Sequence, residues 1–193
     1  MTRSLLELLQ GVVEKVKGRG YSEEKILQAA AAHRDALADR FADFVTQAAS
    51  KSEAYSVVVN YQVPVEDAIL AGDYQAVNAS ITAANFPSRR SGIAQMDILL
   101  IHFDRRMISE EILQELDKAG LRPVELLELL AFGAAFPEVQ RKFVIVGLGS
   151  IWTDRRGYRN VPCLYEASEG RYLDLHWWDD GWYSSSRIAV VRQ

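Results

Sequence analysis

The chain has one cysteine, three histidines and five prolines in 193 residues. The lone cysteine, Cys163, excludes an internal disulfide. It fits a reducing compartment such as the cytoplasm, that of a phage-infected cell included. His33, His102 and His176 stand far apart in the sequence, so none has metal-ligand spacing and no metal or other cofactor is expected. Apolar runs such as ILLI at 98–101 are far too short to cross a bilayer. The N-terminal stretch interrupts its apolar positions with Glu7 and Glu14 and lacks a small-residue cleavage site, so no secretory signal is expected. A large excess of charge of either sign is also missing. A net charge of −4 argues against a surface built throughout to hold nucleic acid. No phosphate-binding loop, G-x-S-x-G turn or paired-carboxylate signature occurs, and Gly147-Leu148-Gly149 lacks the third glycine of a dinucleotide fingerprint.

What is present is an ordinary globular balance, 49% apolar and 25% charged. The basic residues of the middle segment come in doublets: Arg89-Arg90, Arg105-Arg106, Arg141-Lys142 and Arg155-Arg156. Doublets of this kind sit on solvated loops unless the fold gathers them on one side, where they would meet an anionic partner.

Leu5, Leu8, Leu9, Val12, Val13 and Val16 fall at helical spacing and predict a short amphipathic helix ended by Gly18-Arg19-Gly20. Ser22 then caps a second helix expected to run to about residue 50, with Ile26, Leu27, Ala30, Leu37, Phe41, Phe44 and Val45 as apolar positions. A helix this long predicts packing on a partner helix or another subunit. At Tyr55 the pattern turns β-branched, and YSVVVNYQV predicts a strand ended by Pro64. A short helix over 65–70 stops at Gly72. Strands are predicted at 96–104, 143–152, 161–167 and 172–178, and IAVV closes the chain as another. Helices are predicted from Ser109 to Gly120 and from Pro123 to Pro137.

Three of the four tryptophans lie in HWWDDGW: Trp177, Trp178 and Trp182. Strand alternation sends Trp177 and Trp178 to opposite faces, so one is expected in the core and the other towards the surface. Trp182 follows a DDG turn and is open to either side. If strands 161–167 and 172–178 are neighbours, Cys163 and His176 would form a nucleophile and base. Against this, VPCLY is apolar, and a cysteine there is expected to be a buried small hydrophobe.

GLRPVELLELLAFG, then IVGLGSIW, YLDLHWWDDGW and RIAVVRQ, resembles the C-type-lectin-like fold of bacterial and phage proteins over roughly residues 96–193. Gly120, Arg122, Pro123, Glu128 and Leu129 match its helix start. Gly149, Ser150 and Trp152 match its "W-S-S"-like strand, and Arg187 to Arg192 its closing strand. ILAGDYQAVNASITAANFP resembles a segment, written "AGKYDWVNSDIT", that recurs in uncharacterised bacterial proteins with this C-terminal half. The resemblance implies an α+β fold: N-terminal helices over 1–50, then a C-type-lectin-like mixed α/β domain with a small antiparallel sheet over 51–193. It brings no activity with it. The usual disulfides are impossible here. Trp178-Asp179-Asp180 resembles the W-N-D calcium strand only loosely, and no E-P-N or Q-P-D loop accompanies it, so calcium-dependent sugar binding is not expected.

The expectation is therefore a non-enzymatic binding module. Loops 153–160 and 179–186 would present Arg155, Arg156, Tyr158, Trp182 and Tyr183 to a protein or other macromolecular partner. The N-terminal helices would make an oligomer. The alternative is an enzyme or regulator acting on an anionic small molecule or nucleic acid through the arginine doublets.

Overall fold

The computed structural model describes residues 2–37 (backbone alone over 2–9), 54–103, 105–168, 170–183 and 185–193. The chain divides into two compact units, Met1–Ala49 and Ser50–Gln193. In the first, α1 (Thr2–Lys17) and α2 (Glu23–Ala32) are joined by a turn across which Lys17 pairs with Glu23 at 2.7 Å. Ser22 caps α2 through a bond from the Lys25 N–H, as the sequence predicts. The predicted long helix breaks at His33, which ends α2, and a further helical turn covers 34–37. Phe41, Phe44 and Val45 lie outside the described residues. None of residues 10–37 is buried, and Val12, Tyr21, Leu27 and Leu37 are exposed.

The second unit follows the order β1 (Tyr55–Asn60), α3 (Val65–Ala71), β2 (Ala76–Val77), β3 (Ile93–Ile101), α4 (Ser109–Lys118), β4 (Leu121–Pro123), α5 (Leu126–Ala135), α6 (Pro137–Gln140), β5 (Val144–Val146), β6 (Trp152–Thr153), β7 (Arg159–Ala167), β8 (Gly170–Trp177) and β9 (Ser186–Arg192). It is an α+β unit. The sheet is not small and antiparallel but nine-stranded and mixed, ordered β1-β3-β9-β5-β7-β8-β2, with β4 also on β9 and β6 on β7. β5 runs parallel to β9, and β2 parallel to β8.

β9 explains the unbroken IAVV. It lies between β3 and β5 in mid-sheet, not at the rim. A strand covered on both faces reads as a continuous apolar run. Ala189 and Val191 enter the core beneath α5, with Leu129, Leu130 and Phe132. Ile188 and Val190 enter the opposite core beside α4, with Ile112 and Leu116. Two predicted boundaries change. Leu121-Arg122-Pro123 is not the entry to a helix but a strand paired with Val190 to Arg192. The stretch 143–152 is not one strand: it breaks after Val146, because Gly149 lies against Val124, whose carbonyl oxygen would stand 2.5 Å from any Cβ there.

Two buried charges tie the elements together. Glu128, in the first turn of α5, is fully buried. It accepts both arms of Arg122 at 2.8 Å, the Tyr61 hydroxyl at 2.6 Å and the Glu125 N–H at 2.8 Å. Burial acts against its ionised form, but Arg122, Tyr61 and the Glu125 N–H outweigh it and hold the carboxyl below the usual glutamate range. Arg171, on β8, is buried and donates to the Gly72, Gly133 and Gln140 oxygens at 2.7, 2.5 and 3.1 Å. Gly72 caps the C-terminus of α3 and Gly133 lies in the last turn of α5, where helix carbonyls lack partners and the dipole favours a cation.

Candidate binding surface

The WWDDGW stretch is first a clasp for α4. Trp178 and Trp182 are buried in the core beside that helix, at 2% and 4% exposure. Ser109 opens α4, and its hydroxyl donates to the Trp178 carbonyl at 2.7 Å while accepting the Trp182 indole N–H at 2.9 Å. The Trp178 indole N–H donates to Glu110 at 2.6 Å, and Arg159 joins both Glu110 and Asp179. The Trp178 N–H, with Arg159, holds the Glu110 carboxyl below its usual range. Trp182 is thus corrected from surface anchor to core. The backbone reason is that Trp182 exchanges both amide bonds with Met107, which turns its ring inward. Ser109→Ala should cost about 2 kcal/mol, because it leaves the Trp182 N–H and the Trp178 carbonyl without their buried partner; urea unfolding followed by tryptophan fluorescence measures it.

The exposed member of the cluster is Trp177, the last residue of β8. It is 53% exposed and stacks on Tyr158, 49% exposed, with ring centroids 5.5 Å apart and planes 20° apart. Both rings flank Asn160, which pairs with Trp177 across β7 and β8. The turn between β6 and β7 sets Tyr158 in place. Asp154 accepts the Arg156 and Tyr158 N–H groups on one oxygen, both at 2.9 Å, and its own N–H donates to the Tyr158 carbonyl. Gly157, at φ 87°, supplies the left-handed residue this tight turn needs. Arg155 and Arg156 stand at its tip, exposed, and their guanidiniums make no bond or ion pair among the described residues.

The other doublets each surrender a member to the fold. Arg90 pairs with Glu125, Arg141 with Glu166, and Arg106 donates to the Asp180 carbonyl. Arg106 also lies over the Tyr183 ring at 5.4 Å, so Tyr183, 61% exposed, belongs with Arg106 at the Asp180 turn. Four of the five expected residues are exposed, but they form two groups: Arg155, Arg156 and Tyr158 at the β6–β7 turn, and Tyr183 with Arg106. Trp177 was not among the expected five, and alternation gives no outward signal for it, because Leu173 and Leu175 on the same parity of β8 pack in the core.

Nucleophilic chemistry finds no support at Cys163. The predicted strands are neighbours, with Cys163 opposite Asp174 and His176 opposite Val161. Burial, then the Asp174 charge, pushes the Cys163 thiol up to about 12, so no thiolate is available at neutral pH. The His176 ring lies instead against Trp182. A groove of about 860 Å³ over β3 and β9 carries Asp97 and Arg192 and, among the described residues, no nucleophile or histidine. Among the described residues no cluster of histidine, cysteine and carboxylates could hold a metal, and no helix is long and apolar enough to cross a membrane. Set against family models, curated proteins and solved structures, the chain matches none of them.

Proposed function

We propose that the protein is a non-enzymatic binding module whose contact surface is the Tyr158–Trp177 pair with Arg155 and Arg156. The observation that carries this is a half-exposed aromatic stack beside two unpaired arginines on a hydrogen-bonded turn. Interfaces concentrate binding energy in aromatic and arginine residues held rigid before contact. Tyr183 and Arg106 form a second, peripheral contact. Capture from the native cell by the full chain tests the reading. Trp177→Ala should lose the captured partner while shifting stability by less than about 0.5 kcal/mol, as substitutions away from the core do. Undiminished capture by a folded Trp177→Ala, Arg156→Ala chain contradicts it.

The N-terminal unit serves assembly in this reading. Over 10–37 it has no buried residue, yet it exposes Val12, Leu27 and Leu37, and helices of this length are marginal without packing. Light scattering should give a mass above that of one chain, falling to a monomer when residues 1–49 are removed; a monomeric full chain contradicts this. The C-type-lectin-like reading of residues 96–193 remains part of the proposal, supported by contacts among the residues that carry the resemblance: Arg122 on Glu128, and Ser150 accepting the Leu126 N–H at the start of α5. The one thiol, buried and unpaired, suits the cytoplasm.

A further inference from the structure

We infer that the surface at Tyr158 and Trp177 takes an acidic protein segment, one with an apolar or aromatic side chain beside one or two carboxylates. This rests on the binding-module reading and commits it to one partner chemistry.

The Trp177 indole N–H, the Tyr158 hydroxyl and the guanidiniums of Arg155 and Arg156 are exposed, and none has a partner among the described residues. Except for the hydroxyl, which can do both, each is a donor only. The neighbouring aspartates are partly engaged, each through its Oδ1. Asp154 receives the Arg156 and Tyr158 N–H groups, Asp179 receives Arg159, and the Asn160 amide donates inward to the Tyr158 carbonyl. A turn whose exposed side chains offer mostly unpaired donors is complementary to a ligand rich in acceptors. The stacked rings add flat apolar area, which asks for an apolar group next to those acceptors.

The count of charges chooses between carboxylates and a nucleic-acid backbone. Arg159, the next cation along β7, is already taken by two carboxylates, Asp179 and Glu110, and Asp154 lies in the same turn as the two free arginines. That leaves Arg155 and Arg156, on a chain of net charge −4. Two cations can satisfy one or two carboxylates through bidentate bonds. A phosphate backbone is held by many more contacts along its length.

Strand addition, the other common way to hold a peptide, is blocked here. Beyond Leu173 the open side of β8 is covered by its own side chains. Asp174 accepts the Leu175 N–H at 2.7 Å, and His176 lies 3.2 Å from the Trp177 carbonyl. Recognition therefore falls to side chains.

Fluorescence anisotropy on the full chain tests this with three labelled twelve-residue peptide arrays of permuted sequence and a dT12 oligonucleotide. The arrays share their tryptophan, phenylalanine and leucine positions and differ in carrying Asp/Glu, Asn/Gln or Lys elsewhere. The expected result is that members of the acidic array bind at least tenfold tighter than their amide counterparts. That preference should vanish in Arg155→Ala, Arg156→Ala, and all binding should be lost in Trp177→Ala. Equal binding of acidic and amide peptides, still lost in Trp177→Ala, would overturn the acidic partner while leaving the binding surface in place. Tighter binding of dT12 than of any peptide would overturn it in favour of nucleic acid. No binding by any probe would also overturn it, and the capture experiment then decides the surface separately.

Discussion

Arg171→Met is expected to lower the unfolding free energy by about 4 kcal/mol, a large share of the stability of an ordinary domain. The guanidinium is buried and, among the described residues, pairs with no carboxylate. It is held by the Gly72 and Gly133 carbonyls and the Gln140 side chain, and lies over the Tyr74 ring at 5.0 Å. Methionine keeps much of the bulk but leaves the ends of α3 and α5 with carbonyls that neither water nor protein reaches, each costing about 1–3 kcal/mol. Gln140 would also lose its orienting partner, and its amide joins the Tyr165 and Tyr172 carbonyls at 2.8 Å. Arg171→Lys should recover only part of the loss, since one ammonium cannot span three acceptors set around a planar fork. All four tryptophans lie in the unit that Arg171 ties together, so their fluorescence in urea reads this loss without contribution from the N-terminal helices. A midpoint within error of the parent chain would show that Arg171 is not the tie described.

Glu128→Gln is the second large effect, about 3 kcal/mol at neutral pH, because it strands the partly buried Arg122 opposite a neutral amide. Its sign with pH follows from the direction of the shift. Glu128 titrates lower in the folded chain than in the unfolded one. The stability it adds is therefore fully present above the unfolded value of about 4.3 and is lost as pH falls through the lower folded value. The parent chain should weaken over that acid range more than Glu128→Gln does, so the difference between the two shrinks as pH drops. A pair of apolar replacements, Arg122→Met with Glu128→Met, should be less damaging than either alone, since neither then leaves a charge unpaired.

Much of this fold is legible along the chain. One ring of the HWW pair is in the core and one at the surface, as expected. Which is which is decided by the end of β8, since Trp178 stands in a 3-10 turn beyond the strand. The apolar setting of VPCLY places Cys163 in the core. The signals that mislead are those that depend on partners distant in sequence. Leu121-Arg122-Pro123 has the composition of a helix entry, with proline near the first turn. It becomes a strand only because the last residues of β9 offer it an edge. Trp182 follows a turn, where either face is open to it. Its inward position is decided by backbone bonds to Met107 and by the Ser109 hydroxyl, more than seventy residues earlier. IAVV reads as a closing strand because it ends the chain, yet chain order does not set spatial order, and it sits mid-sheet. For the surface, the arginine doublets look alike in sequence. Only the fold shows that three of them give one member to structural contacts while Arg155 and Arg156 keep both side chains free.

The central claim is that partners meet the protein at the Tyr158–Trp177 end. Photo-crosslinking in the native cell tests it most directly, with a benzoylphenylalanine placed singly at positions 177, 156, 58 and 93. Val58 and Ile93 are as exposed as Trp177 but lie on β1 and β3. The account predicts a discrete adduct from positions 177 and 156 and none from 58 or 93. Adducts from 58 or 93, with none from 177 or 156, would contradict it.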